Sequence, residues 1–460
     1  MANQNQLKTQ VNTRNIALTI LQSIFQDQAY THVAIDHYFK MHKGLSKQDR
    51  AFITRLVEGT VEHCITLDYI INQFSKTKTP KMKKIILYIL RLAVYQIKYM
   101  DKVPISAICN EAVKLTKKRK FHPLSGFVNG VLRTIGRKLD EVVYPKEVHD
   151  PIQYLSIMYS FPEWLIRLWL KHYPYDTVKE MCENSNKTVD TTIRCNTTRT
   201  TAYALKKELE AENITVEQGY LLDDALHIKD YDHLRAVQAF KEGKFSVQDE
   251  SSMLVGHLAS PKNGQRIMDV CAAPGGKSTH VAELMGNTGQ VLARDIYPKK
   301  LELLEENVKR LHLKNVEIQA YNALEIDKDM VGQADIVLVD APCSGLGIIR
   351  KKPDIRYNIH EEGIKELVCL QKDILKVVQQ YVKPEGILMY STCTVNPEEN
   401  QNNVTWFTRN YPFDLVPIQD ELPEPLEEDE RGMIQLLPGF HHTDGFFIAK
   451  LKKRAVDLYE

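Results

Sequence analysis

The chain has 460 residues, room for two to four domains, and its 43% hydrophobic and 26% charged residues match a globular protein rather than a disordered or fibrous one. Its opening, MANQNQLKTQVNTRN, lacks the apolar core of a secretory signal, and its most apolar run, Ile85–Ile97, holds Arg91 and is too short to span a bilayer; a cytoplasmic protein with no membrane partner is expected. The net charge of +1 hides an asymmetry, because residues 1–150 carry 24 Lys+Arg against 12 Asp+Glu while 151–460 carry 36 against 47, so the basic N-terminal third points to a polyanionic partner such as RNA.

Residues 1–145 read as a helical bundle. Ala17, Leu18, Leu21 and Ile24 follow helical spacing, as do Phe52, Ile53, Leu56 and Val57. Lys84–Met100 is apolar almost all round, as a central bundle helix is, and further helices start at Pro104 and cover Phe127–Ile135. Tyr144-Pro145 marks a boundary. Residues 146–240 then read as a small α/β, ferredoxin-like module contacting RNA, with helices at Phe161–His172 and Ala202–Glu212, a strand at Thr191–Asn196 and extended segments over Ile214–Ile228.

From 241 to 453 the pattern alternates strand and helix. Apolar β-type runs fall at Arg266–Val270, Gln290–Asp295, Val316–Ala320, Ala334–Asp340 and Gly386–Ser391, which predicts a parallel, Rossmann-like sheet covered on both faces. The acidic, Pro-interrupted stretch Asp420–Arg431 reads as an exposed loop without chemistry.

In such a sheet ligands sit at the carboxyl ends of the strands. The first strand runs into CAAPGGKSTH, Cys271–His280, where Gly275 and Gly276 let a ligand approach the backbone and a following helix start offers free N–H groups. A P-loop is excluded because Cys271 stands where its first glycine belongs. The second strand ends in Asp295, placed to bond ribose hydroxyls, so an adenosine-containing cofactor is expected. Two further strands end beside cysteines: Asp340 precedes Ala341-Pro342-Cys343-Ser344-Gly345, and Ser391 precedes Thr392-Cys393-Thr394. If these strands are neighbours, Cys343 and Cys393 converge. A carboxylate and two thiols beside such a cofactor suit methylation at C5 of a pyrimidine: thiolate addition to C6 makes C5 nucleophilic, and Asp340 can hold the N3/N4 edge of a cytosine. Strand logic leaves open which thiol attacks. The eight cysteines include no Cys-x-x-Cys pair, so no metal is expected.

CAAPGGK, DAPCSG and STCTVNPEEN, in this order and spacing, resemble the signature motifs of the Nol1/Nop2/Sun family of RNA cytosine-5 methyltransferases, and SVQDESS and PGFHHTDGFF resemble further blocks of it. LSKQDRAF, ILRLAVYQIKYM, NEAVKL and GFVNGVLR resemble a NusB-type RNA-binding domain, and the three-part arrangement resembles the bacterial members that act on 16S rRNA. The resemblance implies S-adenosyl-L-methionine as cofactor. The loop Cys271-Ala272-Ala273-Pro274-Gly275-Gly276-Lys277 would line its methionine end, Asp295 its ribose and Asn322 its adenine, with Asp340 bordering both cofactor and base. It also implies Cys393 as nucleophile and Cys343 as the residue of product release. Lys117, Lys118, Arg119 and Lys120 on the bundle, and Arg350-Lys351-Lys352 after the catalytic loop, are candidate phosphate contacts for a cytosine unstacked from its strand. A monomer is the default expectation. The alternatives are the same chemistry on tRNA or another rRNA site, or an RNA-binding assembly or antitermination factor with a vestigial catalytic domain.

Overall fold

A computed structural model describes residues 12–42 and 44–455. Packing separates the chain into two units, one running to Asn186 and joined by Lys351–Asn358, the other formed by Lys187–Arg350 and the chain from Ile359 onward. Among the described residues no helix is long and apolar enough to cross a membrane.

Every regular element of the first unit is helical. Its centre is Lys84–Tyr99, which buries Ile85 through Leu90 and Leu92 through Gln96, as an apolar run on all sides of a helix must. The one amide among these, Gln96, donates to Leu92 O and accepts from Arg14 Nε at 2.8 Å, so no polar atom is wasted there. Around it lie Thr13–Gln26, Lys47–Glu62, Cys64–Phe74, Ile105–Lys118 and Ser125–Lys138, each with an apolar stripe. Local chemistry sets their ends: Asn12 caps Thr13–Gln26, and Ser46 with Asp49 forms a capping box on Lys47–Glu62.

Two features of this unit are set by packing rather than by local sequence. First, Tyr144-Pro145 lies inside this unit, not at its edge. The helices Pro151–Tyr159, Glu163–Leu170 and Tyr175–Asn184 join the bundle, held by Thr66 Oγ1 on Ile157 O at 2.6 Å and by the Ile65 amide on Ser160 Oγ at 2.9 Å, and the break by packing falls after Asn186. Second, the segment Lys351–Asn358, which follows the DAPCSG loop in sequence, folds into the bundle. Arg356 is fully buried in it, stacks on the Phe161 ring at 4.1 Å, and donates to Glu62 O, Tyr159 O, Ser160 O and Asn186 Oδ1 at 3.1–3.3 Å.

The second unit holds two sheets. The small antiparallel one comprises β1 (Thr191–Cys195), β2 (Thr215–Gln218), β3 (Ala225–Lys229) and β4 (Phe245–Val247), in the order β2-β3-β1-β4. The Ala202–Ala211 helix covers it, closing Leu205 and Leu209 over Ile193, Leu226, Ile228 and Phe245. The large sheet has eight strands. β5 (Arg266–Asp269), β6 (Gln290–Asp295), β7 (Val316–Ala320), β8 (Ala334–Asp340) and β9 (Val382–Thr392) are parallel, in the order β9-β8-β5-β6-β7. Strand order reverses between β5 and β8, which opens a crevice at their carboxyl ends.

The expected parallel sheet is extended by three antiparallel strands that the sequence reading did not list, β10 (Phe413–Leu415), β11 (Met433–Leu436) and β12 (Phe446–Lys453). β12 pairs with β9, setting Phe447 opposite Thr392, so the start of β12 lies beside the end of β9. The stretch Asp420–Arg431 is also tied down rather than free: Glu421 takes Lys450 Nζ at 2.6 Å, Glu428 accepts from the Ile418 and Gly432 amides, and Leu426 is buried.

Arg356→Ala removes the shared donor from four acceptors, Ser160 O buried and the other three partly buried. It is expected to destabilise the helical unit by about 3 kcal/mol, measured as a fall in its urea-unfolding midpoint; an unchanged midpoint would show that the segment is only draped on the bundle.

Candidate active site

The loops after β5, β8 and β9 share the carboxyl edge of the sheet, because these three strands are consecutive neighbours. The β5 loop turns into the Gly276–Leu284 helix at Gly275, whose φ of +106° and lack of room (a Cβ would fall 2.2 Å from Leu304 Cδ1) admit only glycine. The Ala273 amide donates to Asp295 Oδ2 at 3.2 Å and the Tyr297 amide to its Oδ1 at 3.0 Å, so the β6 carboxylate is fixed against the loop. Cys271 is packed among apolar side chains, and burial pushes its thiol well up. Asn322 turns onto its own loop, accepting from the Leu324 amide and donating to Glu325 Oε1.

Lys277 is buried and its ammonium sits 2.7 Å from Asp340 Oδ2, over the Phe446 ring at 4.9 Å. Ser391 Oγ donates to Asp340 Oδ1 at 3.1 Å. The Asp340 side chain keeps 35% of its exposure, so it is held in place yet open to a ligand. Lys277, expected to line the cofactor, thus also orients Asp340. Sequence reading did not single out Asp269, which ends β5. Ser278 Oγ bonds its Oδ2 at 2.6 Å, its Oδ1 has no hydrogen-bond partner among the described residues, and burial pushes its carboxyl up to about 7.

The two expected thiols meet: Cys343 Sγ lies 3.3 Å from Cys393 Sγ, both free and both partly buried. The hydrogen bond to Cys393 and burial push the Cys343 thiol well above its ordinary value. What joins their loops is Glu399, which the sequence reading passed over inside STCTVNPEEN. Its buried carboxylate accepts from the Ser344 amide at 2.8 Å, Ser344 Oγ at 2.5 Å, Gln371 Nε2 at 3.1 Å and Asn396 Nδ2 at 3.2 Å. Ser344 Oγ also bonds Thr394 Oγ1 at 2.7 Å, directly linking the residues that follow the two cysteines. A third side is closed by glycines: the Gly347 amide donates to Cys393 O, the Gly445 amide to Gly347 O, and a Cβ on Gly347 would fall 1.9 Å from Gly445 O.

The SVQDESS block is a knot rather than a contact surface. Gln248 bonds the buried Arg194 of β1, which also pairs with Glu283 at 3.0 Å on the Gly276–Leu284 helix. Glu250 accepts from the Tyr220, Leu221 and Leu222 amides at 2.7–3.0 Å. The small sheet is therefore pinned to the helix that carries the Gly-rich loop. Arg350 corrects another expectation: its side chain, 9% exposed, is paired with Asp444 at 2.7 Å and Asp249 at 3.6 Å rather than free for a phosphate. Lys117, Lys118 and Lys120 are exposed on the helical unit, whereas Arg119 is partly buried and donates to Thr19 Oγ1 at 2.6 Å.

The chain is similar to known proteins along nearly its whole length. Residues 257–452 match the family described as 16S rRNA methyltransferase RsmB/F, residues 11–137 the NusB family, and residues 161–233 the ferredoxin-like domain of RsmF/B-like methyltransferases. The chain is 37% identical to a probable ribosomal RNA small subunit methyltransferase B of Bacillus subtilis, over 96% of this chain and 98% of that one. It is 30% identical to ribosomal RNA small subunit methyltransferase B of Escherichia coli, over 97% and 100%. The crystal structure of PH0851 superposes with a TM-score of 0.81 at 28% identity, covering 96% of this chain and 99% of that one.

Glu399→Ala removes the shared acceptor and leaves the Ser344 amide, Gln371 and Asn396 without it. Turnover should fall about a hundredfold through misplacement of the thiols, with cofactor affinity by calorimetry unchanged; parent-like turnover would show that the loops hold themselves.

Proposed function

The chain belongs to the 16S rRNA methyltransferase RsmB/F family, and on that premise we propose that it transfers a methyl group from S-adenosyl-L-methionine to C5 of a cytosine in 16S rRNA, through a covalent adduct between Cys393 and C6. The observation that carries this reading is the approach of Cys343 and Cys393 to 3.3 Å beside a fixed, open Asp340. Two thiols in contact serve little purpose in an ordinary methyl transfer. They suit a reaction that must both form and release a thioether.

The residues present fit the cofactor. The unpartnered, buried Oδ1 of Asp269 is an acceptor awaiting a donor such as an α-amino group. The glycine turn at Gly275 and Gly276 leaves the backbone bare, and a Cβ on Gly276 would meet nothing nearer than Gln248 at 3.7 Å. The Cys271–Lys277 loop would hold the methionine end, Asp295 the ribose and Asn322 the adenine. When bound, S-adenosyl-L-methionine supplies an electrophilic methyl group.

The remaining work falls to this chain. The two sulfurs share one contact, and the resemblance of STCTVNPEEN to the family's second cysteine motif assigns the attack to Cys393 and the release to Cys343. The attack of Cys393 forms the S–C6 bond and moves the C5–C6 electron pair toward N3, which takes up the proton that the thiol gives up. Asp340, oriented by Lys277 and Ser391, holds the N3/N4 edge and stabilises that protonated ring. C5 takes the methyl; loss of the C5 proton then restores the double bond as the S–C6 bond breaks, with Cys343 assisting release. The exposed Lys117, Lys118 and Lys120 of the helical unit offer phosphate contacts that carry little sequence information.

The cysteine pair gives the test. In cells lacking the protein, bisulfite sequencing of 16S rRNA should show one cytosine losing its protection, restored by the parent chain but not by Cys393→Ala, although that variant still binds the cofactor. Cys343→Ala should instead accumulate an RNA-linked species on a denaturing gel. Methylation sustained by Cys393→Ala, or protection lost only in tRNA, would overturn the corresponding part of the proposal.

A further inference from the structure

Asp224, His257 and His280 are 23 or more residues apart in sequence, and the fold brings them together away from the two cysteines' motifs. Asp224 stands in the turn leading to β3 of the small sheet, His257 on the Glu250–Ala259 helix and His280 on the Gly276–Leu284 helix. One ligand atom from each lies within 4.8 Å of the others. His257 Nε2 is 3.2 Å from Asp224 Oδ1, and His280 Nε2 is 3.8 Å from Asp224 Oδ2.

His280 is the informative member. Its side chain is 2% exposed, yet neither ring nitrogen has a hydrogen-bond partner among the described residues. Nδ1 is pressed against the neighbouring helix, where a Cβ on Gly256 would fall 2.4 Å away, so Nε2 is the atom turned toward Asp224. Buried polar atoms are ordinarily satisfied, and 3.8 Å is too long for a hydrogen bond. It is close to the spacing of two ligands on one ion: four bonds of roughly 2.0–2.1 Å in a tetrahedron set ligand atoms about 3.3–3.5 Å apart. Two imidazoles and one carboxylate select a borderline transition ion over magnesium or calcium, which prefer all-oxygen sites. The neighbouring Arg194 and Glu283 are paired with each other at 3.0 Å.

We infer that Asp224, His257 and His280 bind one divalent zinc-class ion, with its fourth position filled from solvent on the side of His257, whose side chain is 32% exposed. The ion clips the small sheet to the two helices that flank the Gly-rich loop, adding a metal link to the Arg194–Glu283 bridge. The inference is independent of the proposed methyl transfer.

The test uses the full-length protein, stripped with a chelator and desalted, titrated with zinc chloride by calorimetry and followed by thermal melting. One zinc ion per chain and a raised Tm are expected, and cobalt(II) in its place should show the visible absorption of a four-coordinate site. His257→Ala and Asp224→Asn should each weaken zinc binding by about tenfold or more and abolish the Tm response. His257→Ala, at the exposed ligand, should leave the metal-free Tm unchanged, which separates a lost site from a misfolded chain. Absence of stoichiometric zinc binding, or parent-like affinity in His257→Ala, would overturn the inference.

Discussion

A carboxylate with no access to water holds the catalytic edge together. Glu399 accepts hydrogen bonds from Ser344, one residue beyond Cys343, and from Asn396, three residues beyond Cys393. Burial pushes its carboxyl up, and the donors around it act in the opposite sense. An acceptor in this position is satisfied only when both loops are present in register. The sheet brings the ends of β8 and β9 side by side; the carboxylate converts that proximity into a sulfur–sulfur distance of 3.3 Å. Lys277 does the same for Asp340 from the third loop. The three loops therefore form one polar network in which each member's position depends on the others.

The strands and the edge at which the site forms were legible because they rest on local signals. Arg266–Asp269, Gln290–Asp295 and Ala334–Asp340 are apolar runs of strand length that end in carboxylates, and parallel topology sends all their loops to one edge. The convergence of Cys343 and Cys393 followed from that rule once β8 and β9 lay side by side. The order of the thiols did not, because both sit in equivalent turns after neighbouring strands and only the resemblance of their motifs to the family distinguishes them.

What remained hidden has a common cause: partners distant in sequence. Glu399 reads as one acid among two in an exposed-looking NPEEN, and only the fold shows that it is buried beside Ser344. Arg350 looks like a cation placed for phosphate until Asp444, 94 residues on, arrives at 2.7 Å. Arg356 looks like surface charge but ends inside a helical bundle, facing carbonyls contributed by residues 62, 159 and 160. β12 escaped notice because FFIAKLKK follows an irregular stretch and breaks the strand–helix alternation; it enters the sheet antiparallel and brings Phe446 over Lys277.

The central claim is that Cys393, not Cys343, forms the bond to C6. It is tested most directly with a 16S rRNA transcript carrying 5-fluorocytidine, in which fluorine at C5 blocks the elimination that would free the enzyme. Incubation with S-adenosyl-L-methionine, nuclease digestion and peptide mass spectrometry then locate the attached nucleotide. The account predicts a methylated 5-fluorocytidine adduct on the peptide containing Cys393 and none on that containing Cys343. Attachment at Cys343, or a methylated product with no adduct at either thiol, would contradict it.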